Sequence, residues 1–422
     1  MERNSENGPQ ANGHPARLPD AILPLRPRIA SIDILRGLVM VLMTLDHVRG
    51  SFTMHANLLW GEGSPLPGNP TDLASDTTPL LFLMRWITHL CAPVFIFLAG
   101  VSVCMWRDRR GSTHDVTRHV ALRGMMLIGI NTVLNGRHLL SGSGHVVLDV
   151  LWPIGVSMML LSVAVHLSGP VLWAIGVAIV AGHNALDGVT LPGGAVDVAW
   201  RLAFASSTIE LPGIGTIYAL YPVLPWFGVM LLGYLSGGMF RRESRSRCQA
   251  LYAAGGGCLV LFVLLRGFGG YGDPHPWAQY DLAWRTAASF VNVTKYPPSF
   301  QFLLLTLGVM SLALAGMEQW GVRSIALRTL GGTPLAYYVG HLVVVRALAA
   351  FLGNATGGGW LAGVRDVAFT VPGVLACTVL IGFALYPLCT MWAWLKKEVR
   401  CLHGGCLADL MARLAPPRKE RK

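Results

Sequence analysis

The chain has 422 residues, of which 53% are hydrophobic and 13% are charged. Soluble proteins average about 25% charged residues, so the composition excludes an ordinary soluble enzyme and predicts an all-α polytopic membrane protein. The formal net charge is +11 at pH 7. We interpret the excess of Lys and Arg as a determinant of membrane orientation, and we expect no nucleic acid among the partners.

Both ends of the chain differ in composition from its middle. Residues 1–27 are polar, rich in Pro, Asn and Gly, and lack the order of a cleaved signal peptide. We predict a disordered cytoplasmic tail over residues 1–27, a transmembrane domain over residues 28–396 and a basic cytoplasmic tail over residues 397–422.

The eight cysteines are scattered, mostly in or beside apolar runs. This use is typical of packing rather than of a disulfide framework. The tail motif Cys401-x-His403-x-x-Cys406 offers an incomplete ligand set, so we expect no metal. The sequence has no P-loop, GxSxG or HExxH motif, which argues against an ATP site, a serine hydrolase and a zinc protease.

About ten apolar runs approach the ~20 residues that a helix needs to cross a bilayer. They lie near residues 30–52, 79–106, 117–138, 146–167, 170–187, 216–240, 249–268, 299–317, 329–352 and 367–395. The second run is long and contains Pro93, which removes a backbone donor and predicts a kink just below His89.

The loops between these runs predict the topology. Lys and Arg concentrate before the first run and after the second, sixth, eighth and tenth runs. These loops fall on one side if ten spans alternate, so the positive-inside rule predicts that both termini are cytoplasmic. The opposite loops, 53–78, 188–215 and 269–298, are long, which suggests that something is handled on the outer face.

Polar residues interrupt the first run at both ends. Asp33 and Arg36 lie near its inner end, and Asp46 and His47 lie near its outer end. At about 100° per residue, Asp33, Arg36 and His47 share one side of the helix. Ionisable residues inside a span are functional by default. The alternatives are a local i,i+3 pair between Asp33 and Arg36, and a His47 that only caps the outer end.

Later spans carry further candidates. Arg85 and His89 are one turn apart on one face of the second run; the alternative for His89 is a core histidine bonded to a neighbouring helix. Lys295, followed by Tyr296, precedes the eighth run and either reaches the membrane interface or contacts an anionic or sugar ligand.

His341 lies midway along the ninth run, beside Tyr337 and Tyr338. His341 either forms a helix–helix hydrogen bond, which is the interpretation that we favour, or lines part of a pocket. In residues 221–237, we interpret the glycines at GxxxG spacing as helix packing and the aromatic residues as a membrane-interface belt.

Several blocks of the sequence resemble a known family. The stretch RIASIDILRGLVMVLMTLDHVRGSF followed by RWITHLCAPVFIFLAG resembles the DUF1624 group of bacterial membrane proteins. That group is similar to the catalytic domain of heparan-α-glucosaminide N-acetyltransferase, within a superfamily of transmembrane acyltransferases. The blocks LWPIGVSMMLL, YPVLPWFGVMLLGY, YGDPHPW and NVTKYPPSF carry the same likeness, which covers about residues 28–350.

The resemblance implies an acyl transfer across the membrane. Acetyl-CoA, the cosubstrate, docks from the cytoplasm, and its acetyl group passes to a glycan or small sugar on the far side. Arg36, with Asp33, then lies at the CoA end. His47 falls where heparan-α-glucosaminide N-acetyltransferase has an Asn near its acetyl site, and His89 falls where that enzyme has an Asp. His55 lies in the loop that corresponds to the one with its catalytic histidine. We expect Arg85, Lys295, Tyr296 and His341 to contact substrate.

The chemistry is consistent with these residues. A histidine can remove the proton of an attacking amine or hydroxyl near neutral pH, or it can accept the acetyl group and pass it on. The nearby carboxylate of Asp46 can adjust the pKa of His47. The sequence does not distinguish these two mechanisms.

Two other functions compete with the acyltransferase. In a transporter or channel for a small polar solute, His47, His89 and His341 would line the path; in a scaffold, the polar contacts are only structural. Clustering of polar groups in the first two spans favours the enzyme, which we expect in the bacterial inner membrane. The oligomeric state stays open, and a homodimer is compatible with the sequence.

Overall fold

A computed structural model describes residues 29–52, 77–110, 113–137, 144–212, 215–355 and 370–400. Its α-helices are α1 Ala30–Phe52, α2 Pro79–Thr88, α3 Cys91–Arg110, α4 Thr113–Asn135, α5 Leu151–Ala164, α6 Gly169–Gly182, α7 Gly194–Phe204, α8 Val223–Ser236, α9 Ser244–Phe268, α10 Ala283–Val291, α11 Phe300–Gln319, α12 Ile325–Gly332, α13 Pro334–Ala355 and α14 Val371–Arg400. Short 3-10 helices span His183–Leu186 and Gly237–Arg241. Residues 1–27 and 401–422 of the predicted tails, His55 and the Cys401–Cys406 motif lie outside the described residues.

The long apolar helices are typical of a membrane protein, but only some of them are both long enough and apolar enough to span a bilayer. Within the described residues, 7 helices are long and apolar enough to cross a membrane, and Leu151–Ala164 is a shorter apolar helix. They are Pro79–Asp108, Gly169–Leu186, Val223–Arg241, Ser244–Phe268, Phe300–Gln319, Pro334–Leu352 and Val371–Glu398. α1 and α4 are helical where predicted but fall outside this set, so the count of about ten spans stays a prediction.

The second span is broken at its histidine. α2 ends at Thr88, His89 and Leu90 form a turn, and α3 begins at Cys91. Pro93 cannot donate a backbone hydrogen bond to the carbonyl of His89. The predicted kink is therefore confirmed, and it lies at His89 itself.

A small sheet that the sequence did not predict accompanies the helices. Strands β1 Gly136–Arg137, β2 His145–Leu148, β3 Ser207–Leu211 and β4 Gly215–Ala219 pair in the order β1-β2-β4-β3. β2 and β4 are parallel, and the other pairs are antiparallel. These strands are too short to show a clear alternating pattern. They form because loops that leave neighbouring helices at one end satisfy each other's backbone groups.

We call the end of the helix bundle at which α1 ends the outer end, and the opposite end the inner end. The outer end holds the sheet. Because Leu148 pairs with Ala219 in the parallel register, the segments that follow β2 and β4 emerge side by side. They carry Asp149 and Tyr221.

Close helix contacts confirm the predicted role of the glycines. A Cβ at Gly233 in α8 would lie 2.1 Å from the carbonyl oxygen of Phe97 in α3, and one at Gly237 would lie 2.4 Å from Cys104 Cβ. The belt interpretation of the aromatics was wrong, because Tyr221 and Trp226 are buried in the core. They fill space between α8 and its neighbours instead of lying at a membrane surface.

The described cysteines, Cys91, Cys104, Cys248, Cys258, Cys377 and Cys389, are all free. Cys91, Cys104, Cys248 and Cys389 are buried, as expected of cysteines that pack within the helix bundle. α14 continues to Arg400, slightly beyond the predicted domain boundary at residue 396.

Candidate functional site

A histidine pair joins α1 to α13 in the outer half of the bundle. His47 Nδ1 lies 2.8 Å from His341 Nε2, and the rings stack with centroids 5.0 Å apart. The Tyr337 hydroxyl lies 2.8 Å from Thr44 Oγ1, which ties the same helices about one turn further in. His341 therefore makes the helix–helix hydrogen bond that the sequence left as one of two options.

The hydrogen-bond directions define the proton positions in this pair. His341 Nδ1 lies 3.1 Å from the carbonyl oxygen of Tyr337, and a carbonyl can only accept. His341 Nδ1 therefore carries the proton, and in the neutral ring Nε2 must accept. His47 Nδ1 then donates to it, which leaves a lone pair on His47 Nε2. Neutral rings are expected because two adjacent imidazolium ions would repel each other.

Asp149 and Tyr338 extend this arrangement. The Tyr338 hydroxyl donates to Asp149 Oδ2 over 3.2 Å, and the Tyr338 ring packs edge-on against His341 at 5.4 Å. Asp149 also interacts electrostatically with His47. The sequence did not indicate Asp149 as a site residue, because an acidic residue before an apolar helix normally indicates a helix terminus. The parallel strands bring it to the site.

Asp46 links α1 to α2 rather than bonding His47. Arg49 Nη2 and Thr88 Oγ1 each lie 2.9 Å from Asp46 Oδ1. Asp46 acts on His47 through its charge, not through a hydrogen bond among the described residues.

Lys295 and Tyr296 approach the site from the turn before α11. Lys295 is only 9% exposed, and its Nζ lies 5.0 Å from the centre of the Tyr296 ring, so it does not reach out to a membrane interface. Burial by itself would lower the pKa of Lys295, but Tyr296 and Asp46 raise it above the ordinary value. The ammonium is therefore charged at neutral pH. The Tyr296 and Tyr221 hydroxyl oxygens are 3.0 Å apart.

A buried network explains why this turn is held in place. Arg266 and Asp273 form an ion pair of 3.6 Å and are 2% and 1% exposed. Asp273 accepts from Ser299 Oγ over 2.7 Å and from the backbone N–H and hydroxyl of Thr294 over 2.8 and 3.0 Å. His183 Nε2 lies 2.7 Å from the Pro298 carbonyl oxygen. Residues on both sides of Lys295 are thus fixed by charge-assisted hydrogen bonds.

His89 lies in the same region but does not contact His47 directly. Its ring packs against Phe302 at 5.8 Å, and its imidazole has no hydrogen bond within the described residues. Asp46 and Lys295 act electrostatically on both His47 and His89. A shared catalytic site for these two histidines therefore stays a prediction.

Arg36 and Asp33 form a separate cluster at the inner end, about 16 Å from His47 along the helix axis. Arg36 lies 3.5 Å from Asp33, 3.1 Å from Ser102 Oγ and 3.3 Å from the Gly331 carbonyl oxygen. The local i,i+3 pair is thus present, and Arg36 also ties α1 to α3 and α12.

Fold and site together define a class: a polytopic helical membrane protein with a buried cluster of histidine, tyrosine, carboxylate and basic side chains. Residues 72–265 match the family model described as "Heparan-alpha-glucosaminide N-acetyltransferase, catalytic". This match confirms the predicted likeness to the heparan-α-glucosaminide N-acetyltransferase catalytic-domain-like family and suggests a membrane acetyltransferase. No curated protein matches the chain.

The matched region contains only part of the candidate site. Arg85, His89, Asp149 and Tyr221 lie inside it, whereas α1, Lys295 and the α13 residues lie outside. The histidine pair is therefore an observation of this structure that the family match does not supply.

Proposed function

We propose that the protein is an acetyltransferase that moves the acetyl group of cytoplasmic acetyl-CoA to an amine or hydroxyl of a glycan or small sugar on the periplasmic side. The family match supports the type of reaction. The observation that carries the proposal is the His47–His341 pair, because its hydrogen bonds leave the lone pair of His47 Nε2 available in a buried site.

In the direct mechanism, His47 Nε2 removes the proton from the attacking amine or hydroxyl. The attacking atom forms a bond to the thioester carbonyl carbon, the carbon–sulfur bond breaks, and the CoA thiolate takes up the proton. In the covalent alternative, His47 Nε2 forms a bond to the thioester carbonyl carbon and the carbon–sulfur bond breaks, which gives an acetyl-imidazolium and the CoA thiolate. The acceptor then attacks the acetyl carbon, the carbon–nitrogen bond to His47 breaks, and the acceptor's proton passes to the thiolate. Both mechanisms use the same tautomer of His47.

The other predicted residues have supporting roles in this proposal. Asp46 influences His47 through its charge, and His89 orients the acceptor. Arg85, Lys295 and Tyr296 bind the acceptor, and His341 positions His47. Arg36, beside Asp33, binds a CoA phosphate at the inner end, for which it would exchange a contact to Ser102 or Gly331 for the ligand.

Acetyl transfer in detergent tests the proposal. We expect the purified protein to bind acetyl-CoA, to release free CoA thiol and to acetylate a sugar from a panel of amino and neutral sugars. Loss of a positioned base typically costs about 10²–10⁴-fold in rate, so His47→Ala should lose most of the transfer while it retains acetyl-CoA binding.

His145→Ala is the matched control, because His145 lies on β2 at the same end and is exposed. It should transfer acetyl at the wild-type rate. Wild-type activity in His47→Ala would contradict the proposed role, and acetyl-CoA binding without any transfer or hydrolysis would contradict the proposed function.

A further inference from the structure

The region around His89 holds more positive than negative charge. Arg49, Arg85 and Lys295 act electrostatically on His89 against one carboxylate, that of Asp46. Asp46 is already paired with Arg49. The cluster's other carboxylate, Asp149, acts on His47 and Tyr221. Within the described residues, Arg85 and Lys295 have no ion-pair partner, although both interact with Tyr296.

Neighbouring polar atoms in this region also lack hydrogen bonds. Arg85 Nε, Trp226 Nε1 and both side-chain atoms Nδ2 and Oδ1 of Asn292 are buried without a partner in the described structure. Asn292 is only 1% exposed. Buried polar groups are normally satisfied, and each exception requires an explanation.

These residues are held close to one another. Trp86 Nε1 donates to the Val291 carbonyl oxygen over 3.1 Å, which joins the segment of Arg85 to the segment of Asn292. Phe302 packs against His89 at 5.8 Å and against Trp226 at 6.4 Å. The segments of Arg85 and Asn292 are therefore neighbours, and Trp226 shares with His89 a contact to Phe302, so the atoms without partners in the described structure lie on elements that meet on the His89 side of the site.

We infer that this region is a subsite for a carboxylate on the acceptor, so that the acceptor is an acidic sugar such as a uronic acid. This inference rests on the proposed function, in which the bound sugar accepts the acetyl group. A carboxylate would neutralise Arg85 and Lys295. Arg85 offers the planar donor geometry that binds a carboxylate in a bidentate manner, and the Asn292 amide can both donate to and accept from a sugar hydroxyl.

The energetics favour a ligand over a structural role. A buried charge without a partner destabilises a protein, so two cations that have no ion-pair partner in the described structure would be unfavourable if they served only the fold. Binding sites can retain such strain because the ligand removes it. Arg85→Gln should therefore leave the melting temperature unchanged or raise it, and a clear fall would overturn the inference by showing that Arg85 is structural.

Binding of glucuronate and glucose, measured by calorimetry without acetyl-CoA, is the direct test. These sugars differ only in a carboxylate in place of a hydroxymethyl group. Removing one partner of a buried charged hydrogen bond weakens binding strongly. We therefore expect glucuronate to bind at least about tenfold more tightly than glucose, and Arg85→Gln and Lys295→Gln each to remove that preference.

Arg201→Gln is the matched control, because Arg201 carries the same charge at the outer end but its side chain is 42% exposed. It should keep the preference for glucuronate. Equal affinity for both sugars, or a preference that survives in Arg85→Gln and Lys295→Gln, would overturn the inference. Acetate that binds as tightly as glucuronate would also overturn it, because the site would then take a small anion rather than a sugar.

The inference and the proposed function can fail separately. Selective glucuronate binding without acetyl transfer would support the subsite and contradict the proposed reaction. Equal transfer of acetyl to glucose and glucuronate would support the reaction and overturn the acidic-sugar subsite.

Discussion

At the scale of single residues, His341 decides which nitrogen of His47 is free. The Tyr337 carbonyl fixes the proton on His341 Nδ1, and His341 Nε2 then orients His47. A histidine without such a partner can rotate and exchange tautomers, so only part of its population would present Nε2 as a base. We therefore assign His341 a positioning role.

Substitution of His341 tests this role. In His341→Leu, no acceptor remains for His47 Nδ1, and misplacement of a catalytic group by 1 Å can cost about 10²-fold in rate. We expect kcat to fall by about that factor while the KM for acetyl-CoA changes little. His341→Gln, whose amide oxygen can accept the same hydrogen bond, should recover part of the loss.

Tyr337→Phe is the control for helix packing. It removes the hydroxyl bonded to Thr44 between the same two helices but leaves the histidine pair intact. A net loss of about 1 kcal/mol in stability is expected, with near-normal kcat. If His341→Gln is as slow as His341→Leu, or if Tyr337→Phe is equally slow, the positioning role is wrong.

At the scale of elements, the segment between α9 and α11 positions Lys295. Asp273 is bonded to Thr294 and Ser299, and it pairs with Arg266 near the end of α9. The geometry of this turn depends on every member of the network, since a partly satisfied buried polar network is unfavourable. Lys295 therefore reaches the site because a buried ion pair holds the residues around it.

Asp273→Asn should destabilise the protein strongly. Removing one member of a buried ion pair leaves an uncompensated charge and typically costs about 3–5 kcal/mol. We expect a lower melting temperature in detergent and faster proteolysis within residues 269–299. Asp197→Asn is the control, because the partner of Asp197 is the exposed Arg201 and such pairs contribute about 0–1 kcal/mol. Equal melting temperatures for the two variants would refute this account of the turn.

At the scale of the whole molecule, the distribution of basic residues predicts that both termini are cytoplasmic. Lys and Arg follow alternate apolar runs, and cytoplasmic loops carry the excess of these residues. The orientation determines which substrate meets which end, because acetyl-CoA is cytoplasmic and the histidine pair lies near the outer end of α1.

Reporter fusions test this topology. A fusion of green fluorescent protein after Lys422 should fluoresce, and alkaline phosphatase at the same position should be inactive. The pattern should reverse for fusions after Asp281, in the segment that follows α9. Active alkaline phosphatase after Lys422 would rule out an even number of spans with a cytoplasmic N-terminus.

Local properties of the sequence were sufficient for the membrane class, the presence of several long apolar helices and the break at His89. Hydropathy, loop charge and the missing donor of Pro93 act within one or two helical turns, so each can be read from a short window. The same local patterns indicated His47, His89 and Lys295 as candidates, because ionisable residues are rare within or beside spans.

Only the tertiary structure decided the partners of these residues. His47 bonds His341, 294 positions away in the sequence, and strand pairing in a sheet that was not predicted brings in Asp149 and Tyr221. Arg36 proved to contact three helices. Helical periodicity specifies which face a side chain occupies, but the neighbour of that face depends on how the whole chain packs, so the sequence determined the candidates and the packing determined the site.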